Sequence, residues 1–185
     1  VTTADIGVVV LAGGRSTRMG ADKAQVRLNG VRLVDVLLTS LPEEMDYVVV
    51  SSQDLGIPTV SEDPPFGGPV AGIAAGAARL SNEFIAVLAV DAPASAGLVQ
   101  SLYEALESSS SDVAAVVSDG MLQPLCALWR RTSLQEALNS LGSPRDKSAK
   151  KLIYSAETLA EVPGDGRETD YDTADELRRL GEVEL

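Results

Sequence analysis

The stretch Ile6–Lys23 reads IGVVVLAGGRSTRMGADK, an apolar run that ends in a glycine pair and then in three cations. Gly13 and Gly14 carry no Cβ, so the backbone there can turn sharply and come close to a ligand. Backbone N–H groups freed in such a turn form an anion-binding concavity. Arg15, Arg18 and Lys23 then supply charge for phosphate oxygens, the arginines as planar forks and the lysine as a point charge. Gly20 adds a second hinge. A glycine pair alone fits an ordinary strand-to-helix turn with solvated cations; the whole string suits a nucleotide's phosphates. Gly20 is followed by Ala21 and not by Lys and Ser or Thr, which excludes a Walker A loop. No G-x-G-x-x-G fingerprint of a dinucleotide fold is present here.

Carboxylates form the second set of candidates. Asp91 closes the apolar run Phe84–Val90 and precedes Ala92-Pro93. Ligands of open α/β sheets gather at the carboxyl ends of strands, where a carboxylate can hold Mg²⁺ against phosphates; Asp before a turn also serves as a helix-entry cap. Asp63 lies in SEDPPFGGPVAG, where Pro64-Pro65 stiffens the loop and Gly67-Gly68 bares the backbone again. Gly72 follows Gly68 by one helical turn, so a base or ribose could pack on that face, or the small residues could serve helix–sheet packing alone. Asp170 and Asp172 flank Tyr171. Residues two apart in an extended chain point to the same side, so both could share a cation with Asp91. Asp172 could equally cap the last helix and Asp170 be a solvated surface charge.

Composition limits the alternatives. The chain of 185 residues contains no histidine, which removes Ser-His-Asp and Cys-His catalysis and most zinc chemistry. Any metal site must be oxygen-ligated, which favours Mg²⁺ or, in its place, Mn²⁺. The single Cys126 sits in an apolar stretch and cannot form an intrachain disulfide. A formal net charge of −12 makes the chain a poor partner for nucleic acid or an anionic membrane. That charge also repels a free nucleotide at long range, but salt screens it over about 8 Å, so the local cations dominate at contact. No apolar run has the length of a membrane span and no signal peptide is evident. The expectation is a cytoplasmic protein with one domain over residues 1–185.

The supporting elements follow from the apolar pattern. Ile6–Ala12, Tyr47–Ser51, Phe84–Val90 and Val113–Val117 read as short strands buried on both faces. Leu33–Leu41 after an Asn29-Gly30 turn, Gly68–Leu80 and Ser95–Ser108 read as helices. Alternating strands and helices predict an α/β fold, a three-layer sandwich with a mainly parallel sheet. Asp119-Gly120 signals a hairpin. Ser133-x-x-Glu136 and Thr173-x-x-Glu176 fit capping boxes, so helices should begin there. Ser108–Ser111 reads as a surface loop. Gly142–Lys151 is polar and basic and reads as a loop; its Arg145, Lys147, Lys150 and Lys151 could guide an anionic second substrate or simply be solvated.

The string LAGGRSTRMGADK resembles the signature L-A-[GA]-G-x-x-x-R-M-G-x-x-K of the nucleotidyltransferase superfamily. Further segments fall in the same order: Glu62-Asp63, GGPVAGI at Gly67–Ile73, VDAP at Val90–Pro93, QPLCALW at Gln123–Trp129 and TDYDTADEL at Thr169–Leu177. The chain is most similar to the molybdenum cofactor guanylyltransferases, in which AGG is usual where cytidylyl relatives show AAG. The resemblance implies a Rossmann-like, nucleotide-diphospho-sugar-transferase-like fold. It implies transfer of GMP from GTP to the terminal phosphate of molybdopterin or the molybdenum cofactor, with release of pyrophosphate. Implied nucleotide contacts are Leu11, Ala12, Gly13, Gly14, Lys23, Ser51, Asp63, Gly68, Gly72 and Asp91. Arg18, Lys23 and Asp91 take the catalytic roles, Asp91 with Asp172 the Mg²⁺, and Asp170 with Asp172 the second substrate.

Ser51 stands where the family often has Asn, and Asp170 and Asp172 stand where it has two amides in N-x-N-T-P-x-[DE]-L. A carboxylate binds a metal better than an amide but cannot donate a hydrogen bond. Cofactor-delivery proteins or molybdoenzymes are further partners for such an enzyme. Other readings left open are a cytidylyl enzyme for the same cofactor, a sugar- or alcohol-phosphate nucleotidyltransferase, and a degenerate nucleotide-binding protein that acts through a partner.

Overall fold

Runs of Val, Ile and Ala without an interrupting polar residue belong in a sheet covered on both faces, and the structure, a computed structural model, builds one from them. It describes residues 5–12, 22–62, 64 and 67–185. In chain order the elements begin with β1 (Ile6–Leu11), β2 (Arg27–Leu28), β3 (Val31–Arg32), α1 (Leu33–Thr39), β4 (Asp46–Val50), β5 (Thr59–Val60), α2 (Pro69–Ala77) and β6 (Phe84–Ala89). A 3-10 turn, Ser95–Leu98, leads into α3 (Val99–Ser109). Then come β7 (Val113–Ser118), β8 (Met121–Arg130), α4 (Arg131–Ser140), α5 (Ala149–Tyr154), β9 (Leu159–Pro163), α6 (Ala174–Leu177) and β10 (Val183–Glu184).

Seven strands form the main sheet in the order β5-β4-β1-β6-β8-β7-β9. All are parallel except β8, which runs antiparallel to both of its neighbours. Side chains alternate between two cores, as the pleat demands. Val8 and Val10 of β1 join one cluster with Leu33 and Leu37 of α1 and Leu102 and Leu106 of α3. Val9 joins the other, with Val70 and Ile73 of α2, Leu134 of α4 and Leu152 of α5. This is the expected three-layer α/β sandwich. The small strands β10, β2 and β3 form a separate antiparallel sheet. Among the described residues, no helix is long and apolar enough to cross a membrane.

Several local expectations need correction. The four strands read from the apolar runs, β1, β4, β6 and β7, lie with α1 and α2 where the pattern put them, but the helix expected from Ser95 opens as a 3-10 turn and becomes α-helical only at Val99. The Asp119-Gly120 hairpin joins β7 to β8 with both residues at positive φ, 52° and 75°. Thr173 caps α6 by accepting from the Glu176 N–H. Ser133 caps nothing: α4 starts at Arg131, directly from β8, and the Ser133 hydroxyl donates to Asp112 Oδ1 at 2.9 Å. The serine run is not all surface loop, because α3 continues through Ser109 and Ser111 is buried. The basic stretch is a loop only as far as Ser148, which caps α5, and that helix takes in Lys150 and Lys151.

Candidate active site

The strand order places β4 on one side of β1 and β6 on the other, and the helices that follow β1 and β5 cover opposite faces. Such a switch point opens a crevice at the carboxyl ends of the central strands. At its floor the Ala12 N–H donates to the Val50 carbonyl at 3.0 Å, and the Val90 N–H donates to the Leu11 carbonyl at 3.1 Å. Asp91 is the next residue, so its carboxylate stands at the mouth of the crevice between β1 and β6.

Among the described residues, two chain segments converge on Asp91. In the first, a turn over Lys23–Gln25 is fixed when the Gln25 and Val26 N–H groups donate to the Asp22 carbonyl and the Ala24 N–H donates to the Asp22 side chain. Ala24 and Val26 are buried, which leaves Lys23 to reach across the site. The second is the C-terminal segment. The Tyr171 N–H donates to the Asp91 carbonyl at 2.8 Å, and the Asp172 N–H donates to Glu176 Oε2 at 2.9 Å. Upstream, the buried Glu168 carboxylate accepts from the Asp165 and Gly166 N–H groups and shapes the approach to Asp170.

The result is a carboxylate triad. Asp91, Asp170 and Asp172 each bring an oxygen to within 4.8 Å of the others. Lys23 Nζ lies 3.2 Å from Asp91 Oδ2 and 3.0 Å from Asp172 Oδ1. The Lys23 and Asp91 side chains are each 21% exposed, so their charges are only partly screened. Burial pushes the Asp91 carboxyl up; Lys23 opposes the rise, but the charges of Asp170 and Asp172 add to it, and the group ends above its ordinary range. Burial works to lower the Lys23 pKa, and the hydrogen bond to Asp172 and the charge of Asp91 outweigh it, so the ammonium is held above its ordinary value. Among the described residues, one ammonium faces three carboxylates here and does not balance them. Three hard oxygen donors with surplus negative charge can hold a metal ion.

The sequence candidates fall as follows. Asp91, Asp170, Asp172 and Lys23 are brought together; the ion pairs of Lys23 with two of these carboxylates were not foreseen from the sequence, nor were the supports given by Glu168 and the Tyr171 N–H. Leu11 and Ala12 end the strand beside them. Ser51 is buried, with its hydroxyl accepting from the Gln53 N–H at 3.1 Å. Gly68 is exposed at the start of α2. Gly72 faces the sheet, since a Cβ there would stand 3.1 Å from Leu11 Cδ2 and 3.3 Å from Val50 Cγ1. Close helix–sheet approach therefore accounts for that glycine. Gly13, Gly14, Arg15, Arg18, Gly20 and Asp63 lie outside the described residues.

Comparison with known proteins agrees with this geometry. Molybdenum cofactor guanylyltransferase of Serratia proteamaculans is 33% identical over 172 residues, covering 82% of this chain and 85% of the relative. The enzyme of the same name from Burkholderia lata is 34% identical over 173 residues, covering 83% of each. The crystal structure of molybdopterin-guanine dinucleotide biosynthesis protein A from Archaeoglobus fulgidus superposes with a TM-score of 0.73 at 20% identity, over 94% of this chain and 95% of that one, a likeness of fold. The expected nucleotide-diphospho-sugar-transferase-like fold is borne out. Residues 8–161, which take in Lys23 and Asp91, match the family described as MobA-like NTP transferase domain. With a match over most of its length and relatives this similar across both chains, the protein belongs to the MobA-like NTP transferase family.

Proposed function

We propose that this chain is a molybdenum cofactor guanylyltransferase that transfers GMP from GTP to the terminal phosphate of molybdopterin or the molybdenum cofactor. The observation that carries the reading is the meeting of Lys23, Asp91 and Asp172 at the β1–β6 switch point, in a chain of this family. A phosphate oxygen of the second substrate attacks the α-phosphorus of GTP. The new P–O bond forms as the bond from the α-phosphorus to the bridging oxygen breaks, and pyrophosphate leaves. The attacking phosphate is already ionised near neutral pH, so no histidine base is needed.

The reactants are both anions, and the protein's task is to position them and oppose their repulsion. Leu11 and Ala12, with Gly13 and Gly14 beyond them, take the guanine nucleotide. Ser51, Asp63 and Gly68 serve its base and ribose, while Gly72 lets α2 approach the sheet beneath them. Lys23 and Arg18 take its phosphates. Mg²⁺, or Mn²⁺ in its place, would be held by Asp91 and Asp172 with Asp170 beside them, and would neutralise triphosphate charge. Asp170 and Asp172 also border the second substrate; as carboxylates they favour the cation over a hydrogen bond to a pterin or phosphate acceptor.

The test is a product assay. The protein is incubated with Mg²⁺, molybdopterin and either GTP or CTP, and dinucleotide and pyrophosphate are both measured. Guanine dinucleotide with equimolar pyrophosphate is expected. Product from CTP alone assigns the chain to the cytidylyl relatives, and no product from either refutes nucleotidyl transfer to this substrate.

A further inference from the structure

The basic segment that follows α4 does not lie loose. Arg145 Nη1 donates to the Pro64 carbonyl at 2.5 Å, and the Asp146 N–H donates to the Gly67 carbonyl at 2.7 Å. Gly67 has the guanidinium directly against it, for a Cβ there would come within 2.8 Å of Arg145 Nη1. On its other side the Gly67 N–H donates to Glu62 Oε1 at 3.2 Å. Pro64 and Gly67 belong to the loop that leaves β5 and enters α2 at the carboxyl end of the sheet. Among the described residues Arg145 forms no ion pair with a carboxylate.

We infer that Arg145 is a positioning residue for the nucleotide loop, setting affinity for the nucleoside triphosphate and leaving the second substrate untouched. The inference rests on the nucleotide reading of that loop given above. Gly67 has no side chain of its own, so its backbone partners set its position: Glu62 holds its N–H from within the loop. Arg145 and the Asp146 N–H add a clamp from outside, at the Pro64 and Gly67 carbonyls. The guanidinium also places a positive charge beside the loop in a chain of net charge −12, which favours an incoming triphosphate. The basic run therefore serves the first substrate, through one residue, and not the second through all four.

Steady-state kinetics with Mg²⁺-GTP and molybdopterin, together with direct GTP binding, test this in the full chain. Arg145→Ala should raise the KM and Kd for GTP roughly tenfold, in keeping with one charge-assisted hydrogen bond, with kcat, the KM for molybdopterin and the melting temperature unchanged. Arg145→Lys, which keeps charge and a donor, should restore most of the loss. The inference is overturned if wild type and Arg145→Ala bind GTP equally, or if the KM for molybdopterin rises instead. A wild-type protein that leaves Mg²⁺-GTP unbound overturns the nucleotide reading itself, and this inference with it.

Discussion

Lys23 and Asp172, 149 positions apart in sequence, hold their charges 3.0 Å apart across the mouth of the sheet. The same ammonium is 3.2 Å from Asp91. A lysine suited to phosphate thus rests on the carboxylates suited to a cation, and substrate binding has to redistribute those charges.

Replacing Lys23 should therefore have two effects of opposite sign. Lys23→Met removes a phosphate donor, and turnover should fall by about 10²–10³ with the circular dichroism spectrum unchanged. The same change removes the cation that competes for Asp91 and Asp172. In nucleotide-free protein, Mn²⁺ binding followed by electron paramagnetic resonance should tighten roughly 3–10-fold. Wild-type turnover, or unchanged Mn²⁺ affinity, contradicts the corresponding half of this description.

Asp91→Asn exchanges a charged oxygen for a neutral amide and leaves the shape nearly the same. Activity should then depend on Mg²⁺ concentration over a range in which wild type is saturated. Wild-type activity that is indifferent to added Mg²⁺ would make Asp91 a structural residue of the β6 terminus.

Asp112 sets a pH dependence of stability away from the site. Its carboxylate accepts from Ser133 Oγ at 2.9 Å and from Thr158 Oγ1 and N–H at 3.0 and 3.2 Å. Burial works to raise its pKa, but these hydrogen bonds outweigh it and hold the group below its ordinary value. The folded pKa lies under the unfolded one, so the stabilisation is present above about pH 4 and is lost as pH falls through the folded value. Urea titrations should show wild type losing stability over that acidic window and Asp112→Ala losing less. At neutral pH the variant should be weaker by roughly 1–2 kcal/mol.

Gly72 tests the packing beneath the site. Its Cβ direction is filled by Leu11 and Val50, the last residues of β1 and β4. Gly72→Val should lower stability by about 1–3 kcal/mol through overpacking, read as a shift of the urea midpoint. An unchanged midpoint would show that α2 can move off the sheet freely.

The central strands were legible because a strand covered on both faces leaves an unbroken apolar run, as in Ile6–Leu11 and Phe84–Ala89. The two-residue strands β2, β3, β5 and β10 were not, since two residues carry no period. Ser133-x-x-Glu136 and Thr173-x-x-Glu176 have the same spelling but different outcomes. Strand β8 runs straight into α4, and the Arg131 N–H is taken by the Glu83 carbonyl at 2.9 Å, which sets that helix start before Ser133 can act. At the site, Asp91 and the Asp170–Asp172 pair were legible as residue types at strand and helix ends. Their union with Lys23 was not, because it depends on the Tyr171 N–H finding the Asp91 carbonyl, a backbone contact that no side-chain pattern encodes. The basic run was legible as charge, while its attachment to Pro64 and Gly67 required the fold.

A crystal grown with GTP and Mg²⁺ tests the central claim most directly. The triphosphate should lie at the carboxyl ends of β1 and β6, with Lys23 Nζ moved from Asp172 to within about 3 Å of a phosphate oxygen. Nucleotide bound elsewhere on the molecule, or a crevice left empty with Lys23 still on Asp91 and Asp172, would contradict the account.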